Sequence, residues 1–192
     1  MNDTVAVSRS SALKRMFDMQ DRYPGALGLS RRVLGWLRIL NVVYGTGIVL
    51  LLLASVVVPE FLFAALRVPR GPAWGAAALG MRGIMIIGIA GAFIAHRILT
   101  LLLRIVDTVR AGDPFVLDNA ARLQAIAWWV LGAELLHLVV GAIASWMSTP
   151  EQPFDLDLSY SFTPWITVLL LFVLARVFAH GARMREDIEG TV

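Results

Sequence analysis

The feature that most constrains this chain is a run without a single charged side chain, residues 39–58. In a helix, about 20 residues at 1.5 Å each extend roughly 30 Å, which is the thickness of the hydrocarbon core of a bilayer. Three further apolar stretches follow, at residues 81–103, 123–147 and 163–177. We therefore predict an all-α polytopic membrane protein, a four-transmembrane-helix bundle with spans at about residues 34–58, 79–103, 123–147 and 163–180.

Composition supports one membrane domain and little else. Hydrophobic residues make up 58% of the 192 and charged residues 16%, far from the averages of soluble domains. We expect a cytoplasmic amino-terminal arm at 1–32, a membrane domain at 33–180 and a cytoplasmic tail at 181–192. Cysteine is absent, which excludes disulfides, thiolate metal ligands and a cysteine nucleophile.

The positive charges indicate an orientation. Of the 17 Lys and Arg residues, thirteen fall in the amino-terminal arm, between the second and third spans, or near the carboxyl terminus. The other side has Arg67 and Arg70, with Arg82 near its membrane boundary. The positive-inside rule then predicts that both termini are cytoplasmic. The same distribution explains the net charge of +3 without nucleic acid, so we expect the lipid bilayer and no direct nucleic-acid partner.

The second span carries a face of small residues at steps of three or four. These are Ala76, Gly80, Gly83, Gly88, Gly91, Ala92 and Ala95. Small side chains allow helix backbones to approach closely inside a membrane. Packing within the bundle is the favoured interpretation, and a homodimer face is the alternative.

Two local patterns lie outside the spans. Tyr23, Pro24, Gly25 and Gly28 predict a break within the amino-terminal arm, after a short helix at about residues 11–20. Apolar and polar residues alternate over 154–162, which is typical of a half-buried strand. Residues 61–68 are the nearby pairing candidate, giving a small extracytoplasmic two-stranded β element. A loop lying on the membrane surface is the alternative.

Four polar residues inside the spans form a candidate intramembrane cluster: His96, Arg97, Glu134 and His137. An unpaired charge there costs about 2.5–3.5 kcal/mol on insertion scales, so these side chains should face the bundle interior. We predict a structural Arg97–Glu134 ion pair. The alternatives are an Arg97 that extends toward the inner face beside an uncharged Glu134, and a polar cavity for a proton, an ion or a small ligand.

The chain offers little for catalysis. Glu134 and His137 have the i, i+3 spacing of carboxylate-bridged metal bundles, but the second motif that such sites need is missing. The outer connections contain no His for a nucleophilic triad, and no glycine-rich phosphate loop follows a strand. We therefore expect no metal, no haem or other cofactor, and no enzymatic activity.

The sharpest local motif is Gly112-Asp113-Pro114-Phe115, between the second and third spans. Gly112 suits the left-handed position that ends a helix, Asp113 can cap the next helix, and Pro114 fits its first turn. A well-capped corner is one interpretation. The other is a cytoplasmic docking element built from the corner and the tail, comprising Asp113, Pro114, Phe115, Asn119, Arg185, Asp187 and Glu189.

Two stretches, GDPFVLDNAARLQAIAWW and GARMREDIEGTV, resemble a family of bacterial membrane proteins catalogued as domain-of-unknown-function family 2975. The resemblance extends from about residue 33 to the end. The matching positions are Gly112, Pro114, Phe115, Asn119, Leu123, Arg185, Asp187, Glu189, Gly190, Thr191 and Val192. Members are four-span proteins, and many are encoded beside a small Cro-like helix-turn-helix regulator. The resemblance implies a bacterial inner-membrane location and a cytoplasmic helix-turn-helix partner, and it adds no catalytic residue.

Three functions are compatible with these observations. The favoured one is a signalling or regulatory membrane component whose corner and tail contact a cytoplasmic partner. A small transporter or channel would instead use Arg97, Glu134 and His137, although transporters typically show related halves or broken helices. The third is a structural or assembly subunit of a membrane complex.

Overall fold

The computed structural model describes residues 23–65, 74–147 and 162–189. It contains five helices: α1 (Tyr23–Val57), α2 (Pro59–Ala65), α3 (Trp74–Arg110), α4 (Leu117–Met147) and α5 (Thr163–Glu189). All except the short α2 are long and apolar enough to cross a membrane. The described residues include no strand. The predicted all-α fold with four membrane helices is therefore confirmed.

The long helices pack in the order in which they occur in the chain. Helix α1 packs on α3, α3 packs on α4, and α4 packs on α5. Over the described ranges, α1 and α5 share no comparable packing. The bundle is therefore open, with α1 and α5 at its two edges and α3 and α4 between them.

Consecutive long helices are antiparallel. Arg31 near the start of α1 pairs with Asp107 near the end of α3, at 2.8 Å, whereas Ser55 near the end of α1 meets Arg82 near the start of α3. The start of α1, the α3–α4 connection at residues 111–116 and the end of α5 consequently lie together. We call the connection the corner and this end of the molecule the corner end.

Small residues hold the helices close. An added Cβ on Gly88 would lie 3.2 Å from Ile48 of α1, and one on Gly45 would lie 3.3 Å from the Cβ of Ala92. An added Cβ on Gly91 would make an ordinary contact with Leu136 of α4, at 3.9 Å. These contacts confirm that this part of the small-residue face packs within the bundle, because larger side chains would separate the backbones.

Two polar residues of the uncharged run fasten α1 to α3. The Asn41 amide nitrogen donates to the Ala92 carbonyl at 2.9 Å. Arg82 donates to both the backbone carbonyl and the hydroxyl of Ser55, which is fully buried two residues before the end of α1. Such bonds supply interhelical attraction that apolar contact alone does not provide in lipid. From the sequence, Arg82 was interpretable only as an orientation signal.

The helix boundaries correct two predictions. Pro24 lies in the first turn of α1, where a missing N–H costs nothing, so Gly25 and Gly28 lie inside the helix instead of in a break. Residues 61–65 are helical, so the predicted partner strand is wrong there. Pro59 and Glu60 explain this, since proline and an acidic residue both favour a helix start. Residues 154–161 lie outside the described residues.

Helices α3 and α5 also continue beyond the predicted spans. Helix α3 ends at Arg110 and α5 at Glu189, whereas the apolar stretches suggested ends near residues 103 and 180. Part of what the sequence assigns to a connection and to a tail is therefore helix, and it carries charged side chains beyond the apolar segments.

Candidate functional site

The corner begins with a helix stop at Gly112. Its φ of +87° is the left-handed conformation, and α3 ends two residues earlier. The Gly112 N–H donates to the Val109 carbonyl and the Asp113 N–H to the Thr108 carbonyl, each at 3.1 Å. This pair of bonds is the Schellman arrangement, which satisfies carbonyls that the helix end leaves free. The prediction for Gly112 is confirmed.

Asn119 locks the corner from inside. Its side chain is fully buried in the first turn of α4. The amide nitrogen donates to the Pro114 carbonyl at 2.9 Å and to the Thr108 hydroxyl at 2.8 Å, and the amide oxygen accepts from Arg122 at 2.9 Å. A fully bonded buried amide fixes a single geometry. Asn119 was predicted as a docking residue, and its burial means that it supports the corner from inside.

Asp113 and Pro114 do not occupy the predicted capping positions. Helix α4 starts at Leu117, so both residues precede it. The Asp113 carboxylate instead accepts from the guanidinium of Arg185 on α5 and forms an ion pair with it. A proline disfavours helical geometry in the residue before it, which is consistent with the non-helical backbone at Asp113. The corner is thus tied to a residue of α5 that lies 72 positions farther along the chain.

Phe115 makes the second connection to α5. Its ring centroid lies 5.3 Å from that of Phe178, with the two planes tilted by 35°. The same ring lies over Gly181, where an added Cβ would come within 3.1 Å of the ring Cδ1. The ring nevertheless remains 45% exposed. Glycine at position 181 therefore allows an aromatic side chain to rest on the helix while one side of it stays accessible.

These contacts join the two stretches that carry the family resemblance. We call the five residues the latch: Asp113, Phe115, Phe178, Gly181 and Arg185. Next to it on α5, Met184, Glu186 and Asp187 are exposed. Glu189 is the last residue of α5, and its side chain is not among those described. The latch and its exposed neighbours are the candidate functional site.

The intramembrane residues are not brought together. His96 and Arg97 are adjacent on α3, so their side chains leave the helix about 100° apart. Arg97 points to α4, where its guanidinium carbon lies 5.9 Å from the centroid of the Trp129 ring. His96 instead borders a groove beside α1 that Arg31 and Arg38 also line.

Glu134 and His137 remain apart from these two side chains. No ion pair between Arg97 and Glu134 occurs in the described parts of the chain, so the predicted contact is wrong. Trp129, which receives the guanidinium, lies five residues before Glu134 and is also contacted edge-on by Phe93 at 5.8 Å. Over the same residues, no three His, Asp or Glu side chains form a potential metal site.

Comparison with protein families now places the chain. Residues 54–192 match the model described as protein of unknown function (DUF2975). The chain belongs to the DUF2975 family. Comparisons with curated proteins and with solved structures gave no match. The DUF2975 region includes α3, α4, α5 and the whole latch, but it begins near the end of α1 and not near residue 33.

Sequence reasoning missed three participants in this DUF2975 site. Phe178 looked like an ordinary residue of the last span, Gly181 looked like the first residue of the tail, and Thr108 gave no sign that it faces Asn119. The spacing of Phe178, Gly181 and Arg185 at three- and four-residue steps places them on one helix face. That periodicity was the available signal in the sequence. It does not show that this face of α5 packs on the corner.

Proposed function

We propose that this DUF2975 protein is a signalling or regulatory membrane component, with the latch and its exposed neighbours as the docking site for a cytoplasmic protein. The observation that carries this is the meeting of the corner and α5 at the same end through contacts that remain half exposed. A purely structural contact has no need to leave Phe115 accessible. The role is one of binding, and it assigns no catalytic residue.

The weakness of the latch suits regulation. Asp113 and Arg185 are each 43% exposed. Exposed ion pairs contribute about 0.2–1 kcal/mol, so a partner that offers a competing charge can replace one side. A ligand shifts a conformational equilibrium by its difference in affinity for the two states. Opening the latch would change how α5 is held against the corner, which is how docking would be coupled to the membrane domain.

The charge distribution supports a cytoplasmic corner end. Among the described residues, this end carries a set of arginines on every long helix: Arg31, Arg32, Arg38, Arg104, Arg110, Arg122, Arg183 and Arg185. The opposite end of the described structure has Arg82, which donates to Ser55. An excess of arginine beside the membrane is typical of the cytoplasmic side.

The transporter alternative has less support. A polar pathway requires side chains that converge, but Arg97 lies on Trp129 and His96 turns to α1.

The family resemblance implies a helix-turn-helix regulator as the partner. Beside the latch, the exposed Met184 supplies an apolar contact and the exposed Glu186 a charge for a protein surface.

The docking proposal is tested by crosslinking in cells followed by co-purification of a cytoplasmic helix-turn-helix protein of the kind that the resemblance implies. We expect the double variant Met184→Ser, Glu186→Lys to lose that protein while its membrane level and thermal stability stay unchanged. Arg32→Glu is the control, because it changes charge by the same amount on α1, away from the latch. If the wild type captures no regulator, or if the control loses it equally, docking at the latch is wrong.

Orientation is tested by labelling single introduced cysteines. The sequence contains no cysteine of its own, so all labelling comes from the introduced residue. Cysteine at Ala111 in the corner should resist an impermeant thiol reagent in intact cells and react after the membrane is opened. Cysteine at Phe162, which is 79% exposed at the other end of α5, should react in intact cells. The reverse pattern would place the latch outside.

A further inference from the structure

A groove runs between α4 and α5 next to the latch. It has a volume of about 630 Å³. Small side chains leave this space open, and they come from both helices: Ala120, Ala121, Ala175 and Ala179. Two of them, Ala120 and Ala175, are buried and form the floor. The groove is a gap between well-packed helices and does not belong to the latch contacts.

Three polar side chains line one part of the groove: Gln124, Arg176 and Arg183. Arg176 and Arg183 lie two turns apart on α5, about 10 Å along its axis. Neither guanidinium has an ion-pair partner among the described residues. The nearby acidic residue of α4, Asp118, is already paired with Arg122 at 3.0 Å. In the described structure neither groove arginine is held in an ion pair, although Glu186 and Asp187 follow Arg183 by about one turn on α5.

The lining changes character along α5. Phe172 lies toward the middle of the apolar stretch, Arg176 follows one turn later, and Arg183 lies near the corner end. A phospholipid changes from apolar to charged in the same direction, with its acyl chains toward the bilayer centre and its charged headgroup at the surface. Basic pockets between membrane helices at the cytoplasmic side are suited to anionic headgroups.

We propose that this groove is a binding site for an anionic phospholipid. The phosphate lies within reach of Arg176 and Gln124, Arg183 faces the outer part of the headgroup, and an acyl chain follows Phe172 over the alanine floor. Charge-assisted bonds from guanidinium groups to phosphate provide the selectivity for anionic lipids. The site does not depend on the docking proposal, because lipid binding needs only α4, α5 and the bilayer.

Lipid binding is measured by native mass spectrometry on delipidated full-length protein in detergent, with added phosphatidylglycerol, phosphatidylcholine or inorganic phosphate. We expect Arg176→Gln combined with Arg183→Gln to bind phosphatidylglycerol about tenfold more weakly, since the charge-assisted contacts are lost. Arg104→Gln combined with Arg110→Gln is the matched control, because it removes two exposed charges at the same end outside the groove. It should retain wild-type affinity.

A steric variant keeps the test independent of charge. Ala179→Leu fills the groove while leaving both arginines, and it should also weaken phosphatidylglycerol binding about tenfold. Thermal unfolding without lipid establishes that each variant is folded. Equal binding of phosphatidylglycerol to the wild type and to both groove variants would overturn the site. Equal affinity for phosphatidylcholine, or displacement of phosphatidylglycerol by inorganic phosphate, would overturn the identity of the ligand.

Discussion

The corner and the middle of the helices both contain polar residues among apolar neighbours, but they use them in opposite ways. In the corner, Asn119 bonds to Thr108, to Pro114 and to Arg122. In the middle, Arg97 contacts an aromatic ring and does not pair with Glu134. Polar residues near a short connection form a network, whereas polar residues on the long helix faces remain separate.

The connection explains the difference. Six residues join α3 to α4, and the positive φ of Gly112 fixes the direction in which the chain leaves α3. Side chains on either side of so short a link have few alternative positions. Arg97 and Glu134 are far from this constraint, and the rotation of each helix decides which neighbours they meet. One residue of rotation moves a side chain by 100°.

The substitution with the largest expected effect on stability is Asn119→Leu, which tests the corner network. The change leaves the Pro114 carbonyl without its side-chain donor and removes one of the acceptors of Arg122, so we expect a loss of about 3 kcal/mol in unfolding free energy. Unfolding of the detergent-solubilised protein in a titration with sodium dodecyl sulfate measures it. Gln124→Leu, an exposed position on the same helix, is the control and should change stability little. Equal losses would show that burial of Asn119 is unimportant.

The second test is Gly112→Ala. A side chain at positive φ should cost about 1 kcal/mol, although no atom lies within 4 Å of the added Cβ. Gly132→Ala is a matched control, since it also meets open space but lies inside α4. It should stabilise the helix by about 0.5–1 kcal/mol. The same titration should therefore give opposite signs, and equal signs would contradict a conformational role for Gly112.

The third test asks which residue Arg97 contacts. A double-mutant cycle of Arg97→Gln with Trp129→Leu should give a coupling of about 0.5–1 kcal/mol from the cation–π contact. The cycle of Arg97→Gln with Glu134→Gln should be additive to within about 0.5 kcal/mol. Coupling only in the cycle of Arg97→Gln with Glu134→Gln would support the ion pair. The middle of the helices would then contain a polar contact between helices, as the corner does.

The smallest expected effect concerns the latch. The cycle of Asp113→Asn with Arg185→Gln should give a coupling of about 0.2–1 kcal/mol, because both groups are half exposed. Screening should reduce this coupling at 1 M salt. A coupling that exceeds 2 kcal/mol and persists in high salt would mean that the latch is too strong to open on docking.

The sequence was sufficient for features that depend on local or periodic patterns. The four apolar helices, the small face at Gly88 and Gly91 and the helix stop at Gly112 all follow from composition, spacing or backbone preference. The latch did not follow, because Asp113 looked like a cap, although α4 starts only at Leu117. Asn119 looked exposed because a polar residue in a first turn ordinarily faces water.

What remained unpredictable depended on how the helices are rotated about their axes. Phe178 and Gly181 acquire a role only when that face of α5 meets Phe115. Likewise, Arg97 could pair with Glu134 only if α3 and α4 presented those residues to each other. No pattern within a single helix fixes such an angle, so pairs across helices required the structure.

The ordered packing of the long helices has a consequence for biosynthesis. Because α1 packs on α3, α3 on α4 and α4 on α5, each new helix meets its partner as soon as it leaves the ribosome and enters the membrane. No early helix must wait for a distant later one, and domains built from contacts close in sequence assemble quickly. The polypeptide is therefore suited to entering the membrane one helix at a time, with α5 closing the latch once α4 and the corner are in place.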